Sequence, residues 1–208
     1  MRTVPIALLL LPLLLAGCEK QEPAANEVAA HGVPTKGVDR SHKGQPAPDT
    51  AFVDPDGGEI SLVDFKGTPV LVNLWATWGA PCVKELPTLN ALAHKHDKDG
   101  ALGIIAVSQD MGPQNSVEAF LKKLKVDDLG AFHDPKMALS GALDAQVLPR
   151  TILYDAQGRE VWRYVGDLDW TGPEGRPIVL VNYNGAPARY TLPADELAGQ
   201  RLRVLDPD

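Results

Sequence analysis

The sequence predicts an α/β fold in which a mixed central sheet carries helices on both faces. Residues 70–75 and 102–108 are nearly continuous apolar runs, which are typical of central strands buried on both sides. A helical pattern of apolar residues follows each run. Two further strands, 151–154 and 160–165, follow the helices and are joined by the turn Asp155-Ala156-Gln157-Gly158. This order of elements suits a sheet covered on both faces.

A short β-hairpin is predicted ahead of the first central strand. Its two arms are Ala51-Phe52-Val53 and Glu59-Ile60-Ser61-Leu62, and the turn residues Asp54-Pro55-Asp56-Gly57-Gly58 separate them. The segment Gly67-Thr68-Pro69 then leads into the apolar run at 70–75. The predicted order therefore begins with three strands before any helix.

Three helices are predicted between the strands. The first begins at Pro81, where the missing N–H of proline costs nothing, and it runs to about Lys98. Pro87 should kink this helix. The second helix covers residues 116–124, and a shorter third helix covers residues 136–143. The predicted inner face of the first helix consists of Leu86, Leu89, Leu92 and Ala93.

Residues 1–17 have the pattern of a signal peptide, with a positive charge at Arg2 and an apolar stretch over residues 6–15. Leu15-Ala16-Gly17-Cys18 then resembles the lipobox of bacterial lipoproteins, which implies that Cys18 is acylated and becomes the mature N-terminus. The apolar stretch is too short to span a bilayer. An ordinary secretory leader with a chance cysteine is the alternative. We therefore expect a lipid-anchored protein on the extracytoplasmic (periplasmic) face of a bacterial membrane.

Composition limits the possible partners. The net charge of −7 argues against nucleic acid, and the five histidines lack metal-ligand spacing, so no metal or other cofactor is predicted.

Residues 18–49 are rich in Pro, Gly, Ala and charge without apolar periodicity, which predicts a lipid-anchored flexible tether. If Cys18 of the two cysteines is acylated, Cys82 is the remaining thiol. It is then either buried and inert or available to another molecule.

The most specific signal in the chain is Trp75-Ala76-Thr77-Trp78-Gly79-Ala80-Pro81-Cys82. It resembles the Trp-Ala-Thr-Trp-Cys-x-Pro-Cys signature of the TlpA/ResA-like thioredoxins, which are membrane-tethered thiol–disulfide oxidoreductases. The resemblance covers residues 46–167 and implies a thioredoxin-like domain over residues 50–167. Further matches to the family are Asn73, Pro87, the segments 106–110, 147–151 and 155–159, and Gly166.

In this family, two cysteines three residues apart carry out the exchange. A thiolate at a helix N-terminus has a lowered pKa and attacks the substrate disulfide, and the second cysteine resolves the mixed disulfide. Here Gly79 stands at the position of the nucleophile, so normal dithiol turnover should be lost. Cys82, the remaining thiol, is either a small buried residue or is uncovered by the missing side chain at position 79. An uncovered Cys82 would form slow mixed disulfides or be sulfenylated.

The resemblance also implies the other residues of the site. Pro149 should be cis, and Leu148 and Trp78 should form an apolar groove that binds an extended peptide, with a purely structural turn as the alternative. Arg150 replaces the small polar residue usual after this proline, which implies a preference for acidic partners. Glu85, one turn after Cys82, is either a group that handles a proton for the thiol or a solvated helix carboxylate.

The last segment departs from the family pattern. A thioredoxin fold normally closes with a helix, but residues 168–208 carry prolines at positions 173, 177, 187 and 193. Residues 178–183 and 188–192 are predicted strands joined by a tight turn at Asn184-Gly185, and residues 201–205 are a possible third strand. We therefore predict a β-rich C-terminal extension in place of the closing helix. A fusion or frameshifted tail is the alternative.

These observations predict a membrane-anchored, extracytoplasmic member of the TlpA/redoxin thiol–disulfide oxidoreductases. Its degenerate Gly-x-x-Cys site should lack normal dithiol turnover, and its partners should be cysteine-containing proteins or peptides. The competing hypothesis is a non-catalytic client-binding module with the same fold. A third hypothesis is an inactive sequence variant with an aberrant tail.

Overall fold

An eight-stranded mixed sheet organises the computed structural model, which describes residues 36–96, 102–173 and 175. The strands are β1 (Gly37–Asp39), β2 (Phe52–Val53), β3 (Glu59–Ile60), β4 (Val70–Trp75), β5 (Gly103–Ser108), β6 (Phe132–His133), β7 (Arg150–Tyr154) and β8 (Glu160–Val165). Their order across the sheet is β1-β8-β7-β4-β5-β6-β2-β3. Strands β4, β5 and β6 are parallel to one another, and the other pairs are antiparallel.

Helices cover both faces of this sheet, as the sequence predicts. They are α1 (Ala80–His96), α2 (Gln114–Lys123) and α3 (Ala138–Ala142), and a 3-10 helix covers Leu62–Phe65. Apolar side chains of α1 and α2 pack in one core cluster, which we call the thiol face because it contains Cys82. Side chains of α3 pack in a second cluster on the opposite face. Because side chains alternate along a strand, β4 and β7 each contribute to both clusters.

Helix α1 forms where the sequence places it. The carbonyl of Gly79 accepts the N–H of Val83 at 3.0 Å, which starts the helical hydrogen bonding. Pro81 lies in the first turn, where its missing N–H is tolerated, and Pro87 lies inside the helix. All four residues of the predicted inner face are buried: Leu86, Leu89, Leu92 and Ala93.

The predicted tether over residues 18–49 is wrong for its last part. Strand β1 pairs with β8, and Ala47 N–H donates to the carbonyl of Gly158 at 2.8 Å. Residues 36–47 therefore lie along the edge of the sheet. Sequence reasoning missed this because a three-residue edge strand is held by backbone hydrogen bonds and needs no apolar periodicity. Strand β6 lies inside the sheet and was missed because two residues are too few to show a periodic pattern.

The C-terminal boundary of the domain also differs from the prediction at residue 167. Leu168 and Trp170 are buried in the thiol-face cluster, so the folded unit includes at least these residues. The strands predicted within residues 178–205 lie outside the described residues. The signal peptide over residues 1–17 and the lipidation site Cys18 lie outside them as well. In the part of the chain that the structure describes, no helix has both the length and the apolar character to cross a membrane.

Candidate functional site

The loop between β4 and α1 is held in place by one carboxylate. The backbone N–H of Thr77 donates to Asp110 Oδ2 at 3.0 Å, and the Thr77 hydroxyl donates to Asp110 Oδ1 at 2.7 Å. Ser108 Oγ donates to Asp110 Oδ2 at 2.7 Å from the end of β5. This anchoring leaves the side chain of Trp78 68% exposed just before α1 begins. Sequence reasoning placed Asp110 in the family pattern but gave it no role.

Cys82 lies in the first turn of α1 and is completely buried. Burial raises its pKa to about 11, and the negative charges of Glu85 and Asp110 act in the same direction. The alternative that the missing side chain at position 79 uncovers this thiol is therefore wrong. The neighbouring core closes over the sulfur.

Gly79 lies directly against the sulfur of Cys82. A Cβ atom placed on Gly79 would be 2.8 Å from Cys82 Sγ. In a disulfide, the Cβ of one cysteine lies about 3 Å from the sulfur of the other, as the standard S–S length requires. The backbone at positions 79 and 82 therefore has nearly the spacing that a disulfide between these positions needs.

Glu85 is not a solvated helix carboxylate, because its side chain is only 1% exposed. Its Oε1 accepts a hydrogen bond from Asn73 Nδ2 at 2.6 Å. Its Oε2 accepts from the backbone N–H of Leu168 at 3.1 Å and from Trp170 Nε1 at 3.4 Å. Burial nevertheless raises the pKa of Glu85 to about 7. Glu85 lies one helical turn after Cys82, and its negative charge contributes to the raised pKa of that thiol.

Residues 167–170 form a strap over α1 that sequence reasoning missed. The backbone N–H of Trp170 donates to Thr88 Oγ1 at 3.2 Å, and the Trp170 ring packs edge-on against Tyr164 at a centroid distance of 6.2 Å. Asp167 forms salt bridges at 3.0 Å with both Lys36 and Lys84. The alternating apolar residues Leu168 and Trp170 after β8 are the sequence pattern that could have indicated this buried segment.

The Leu148–Pro149 peptide bond is cis, as the sequence analysis expects. Pro149 is buried, and its carbonyl accepts the N–H of Gly166 at 3.0 Å. Leu148 is half-buried and packs against both core clusters.

Arg150 does not belong to a groove beside Trp78, which corrects the sequence prediction. It is the first residue of β7, and alternation along the strand places it with Ile152 and Tyr154, on the face opposite Cys82. Its side chain is only 3% exposed and is therefore not available to an acidic partner on the surface. The strand register, which the family motif alone does not reveal, decides this orientation.

A cavity of about 540 Å³ lies beside Trp78, outside the carboxyl ends of β4, β5 and β6. Its lining is mostly apolar and consists of Thr77, Trp78, Gln109, Asp110, Met111, Gly112, Pro113, Ser116, Val117, Phe120 and Met137. Leu148, Pro149 and Cys82 are not among these residues. The concave surface next to Trp78 is therefore on the β5–α2 side. Among the described residues, no group of three His, Cys, Asp or Glu side chains is placed to hold a metal ion.

Comparison with known proteins agrees with this architecture. The redoxin family profile matches residues 42–177. The chain is similar to thiol-disulfide oxidoreductase ResA of Bacillus cereus, with 33% identity over 124 residues, or 60% of this chain and 70% of the relative. ResA of Bacillus subtilis is 33% identical over 126 residues, or 60% of this chain and 68% of the relative.

Solved structures show the same fold. A crystal structure described as thiol:disulfide interchange protein DsbE of Chlorobium tepidum superimposes with a TM-score of 0.59 and 25% identity. The match covers 66% of this chain and 95% of that one. The thioredoxin-like fold, the family profile and the curated relatives all agree, and the chain belongs to the redoxin family, in its TlpA/ResA-like group of thiol–disulfide oxidoreductases.

Proposed function

We propose that this chain is a lipid-anchored, extracytoplasmic redoxin in which Gly79 occupies the nucleophile position and normal dithiol turnover is lost. The complete burial of Cys82 is the observation that carries the proposed loss of dithiol turnover. With a pKa of about 11, the thiol is ionised in only about one molecule in ten thousand at pH 7. A buried, protonated thiol neither starts an exchange reaction nor, by itself, resolves one.

Around Gly79, the structure retains the other features of a dithiol site and lacks only the first cysteine. The helix N-terminus, the exposed Trp78 and the cis-Pro149 loop are all present. A cysteine at position 79 would lie at the start of α1, where the helix dipole lowers a thiol pKa. The Cβ-to-sulfur distance of 2.8 Å at this position is close to that of a disulfide. The single substitution Gly79→Cys would then restore a functional pair of cysteines.

Insulin reduction with dithiothreitol as the donor tests the proposal. Wild type, Gly79→Cys and Gly79→Cys/Cys82→Ser are compared at equal concentration. We expect no turnover above background from wild type, turnover from Gly79→Cys, and its loss in the double variant. Turnover by wild type at the rate of Gly79→Cys would show that Cys82 is a competent monothiol catalyst. A folded but inactive Gly79→Cys would favour the binding function described below.

The lipid anchor has its own test, since Cys18 lies outside the described residues. A fatty-acid probe supplied during growth should label the wild-type chain, which should partition with membranes. Cys18→Ala should abolish the labelling and leave the leader unprocessed or the protein released. A wild-type chain that is never labelled contradicts the anchor.

A non-catalytic role in binding cysteine-containing clients is the second candidate, and an exposed apolar surface is the observation from which we argue it. Trp78 and Met111 are 68% and 84% exposed, and both line the cavity at the carboxyl ends of the parallel strands. Exposed large apolar side chains around a cavity mark interaction surfaces. Trp78→Ala and Met111→Ala should reduce capture of a cysteine-containing peptide without changing stability. The control is Lys95→Ala, at an exposed position outside the cavity lining, which should leave capture unchanged. Equal capture by all three variants would contradict this role.

A further inference from the structure

Arg150 is a buried cation without a hydrogen-bonded acceptor at two of its nitrogens. Its side chain is 3% exposed, and neither Nε nor Nη2 finds a partner among the described residues. Buried polar groups in folded proteins nearly always have a partner, and an orphaned one calls for an explanation such as a bound ion or water. A guanidinium keeps its charge under ordinary conditions, so Arg150 does not avoid the free-energy cost of burying unpaired donors by losing a proton.

The neighbouring Arg163 shows how the same pair of guanidinium nitrogens, Nε and Nη2, binds a carboxylate in this protein. Its Nε donates to Glu160 Oε1 at 2.7 Å, and its Nη2 donates to Glu160 Oε2 at 2.6 Å. Its Nη1 donates to the carbonyl of Leu143 at 2.8 Å. This is the bidentate arrangement in which an arginine grips a carboxylate. Arg150 presents the same pair of nitrogens, Nε and Nη2, without a carboxylate.

None of the acidic residues near Arg150 accepts a hydrogen bond from its Nε or Nη2. Both oxygens of Glu160 accept hydrogen bonds from Arg163. Asp39 Oδ1 accepts from the backbone N–H of Ser41 at 2.8 Å, and Asp144 Oδ1 accepts from Gln146 Nε2 at 3.0 Å. These charges act on Arg150 through space without bonding to its Nε or Nη2. Burial, together with the positive charge of Arg163, lowers the pKa of Arg150, which is consistent with a missing counter-charge.

We propose that Arg150 binds a small free carboxylate anion, with Nε and Nη2 donating to its two oxygens as Arg163 does to Glu160. A monovalent anion suits the position because Glu160 already neutralises Arg163, which leaves one unmatched guanidinium. A small free anion suits it better than a carboxylate carried by a protein because both nitrogens are buried. Binding therefore requires the surrounding side chains to open locally. This site lies on the face opposite Cys82 and is independent of the proposed thiol function.

Nuclear magnetic resonance of the full chain, labelled with ¹⁵N-arginine and solubilised in detergent, tests the proposal directly. Arg150→Lys assigns the Nε–H signal of Arg150 by its loss. We expect acetate, titrated at constant ionic strength, to shift this signal saturably and to leave that of Arg163 unchanged. Chloride should have no effect. The proposal is overturned if acetate gives no saturable shift, if chloride gives the same shift, or if sulfate binds more tightly than acetate.

Thermal unfolding gives a second, independent readout. Acetate should raise the Tm of wild type saturably, because a ligand that binds only the folded state stabilises it. Arg150→Met should lose this increase, whereas the exposed Arg159→Met should keep it. An increase that persists in Arg150→Met would contradict the site. If Arg150→Met does not fold, the resonance titration of wild type decides.

Discussion

Two buried charged side chains lie on opposite faces of the same sheet, and their surroundings differ completely. On the thiol face, Glu85 accepts hydrogen bonds from Asn73 in β4 and from Leu168 and Trp170 in the strap. On the other face, Arg150 leaves Nε and Nη2 unpaired. The comparison shows that burial alone does not describe a charged group, because two buried groups can differ in whether the protein supplies their hydrogen-bond partners.

The hydrogen bonds around Glu85 have a consequence for the thiol. They hold a carboxyl with a pKa of about 7 one helical turn from Cys82, and both groups are shut off from solvent by the core. The same burial that raises the pKa of Glu85 also raises that of the thiol. The thiol face is therefore arranged to keep Cys82 protonated, whereas a cysteine at position 79 would sit at the exposed end of the helix.

The largest effects should come from breaking pairs on the Arg150 face. Arg163→Met leaves the Glu160 carboxylate buried without its partner and should cost about 4 kcal/mol in the free energy of unfolding. Arg150→Met removes a charge that has no paired acceptor, so it should be neutral or stabilise by about 1 kcal/mol in buffer without carboxylates. Urea denaturation measures both. A loss in Arg150→Met as large as that in Arg163→Met would show that Arg150 has partners within the protein.

Removing the strap residue Trp170 should have a similarly large effect on the thiol face. Trp170→Ala leaves a cavity in the core and deprives Glu85 of one donor, at a cost of about 3 to 5 kcal/mol. The matched control is the exposed Trp78→Ala, for which we expect a change below about 0.5 kcal/mol. Equal urea midpoints for the two variants would mean that the strap is not part of the folded unit.

The pH dependence of stability should report Glu85. Its pKa is about 7 in the folded chain against an ordinary value of 4.5, so the folded state holds this proton more tightly than the unfolded state. The stabilisation is complete below pH 4.5 and is lost as the pH rises through 7, by about 3 kcal/mol in total. Glu85→Gln should remove this component. Identical pH profiles of the free energy of unfolding for the two proteins would contradict the raised pKa.

The smallest effect should come from the surface end of the strap. Lys84→Ala removes one of the two lysines paired with Asp167, and its side chain is 78% exposed. Exposed ion pairs contribute little, so the free energy of unfolding should fall by less than about 0.5 kcal/mol. The difference from wild type should shrink further at high salt. A loss that is larger than this and independent of salt would show that Lys84 has a role beyond this ion pair.

Most elements that surround the site could be predicted, because short local sequence patterns indicate them. The six residues of β4 are all buried, five of them apolar, and α1 follows them with Pro81 in its first turn. The Leu148-Pro149 motif correctly indicated a cis bond. In contrast, the strands β1 and β6 carry two or three residues each and leave no periodic pattern.

The sequence by itself determined the family, the order of the main elements, and the presence of Gly79 three residues before Cys82, because these follow from short segments of the chain. Tertiary structure alone decided that Glu85 is buried, since its partners Leu168 and Trp170 are 83 and 85 residues away. It also decided that Arg150 points away from the thiol, because strand register and not residue type selects the face. Local patterns specify elements, and only long-range packing specifies which polar groups lose water and which partners they find.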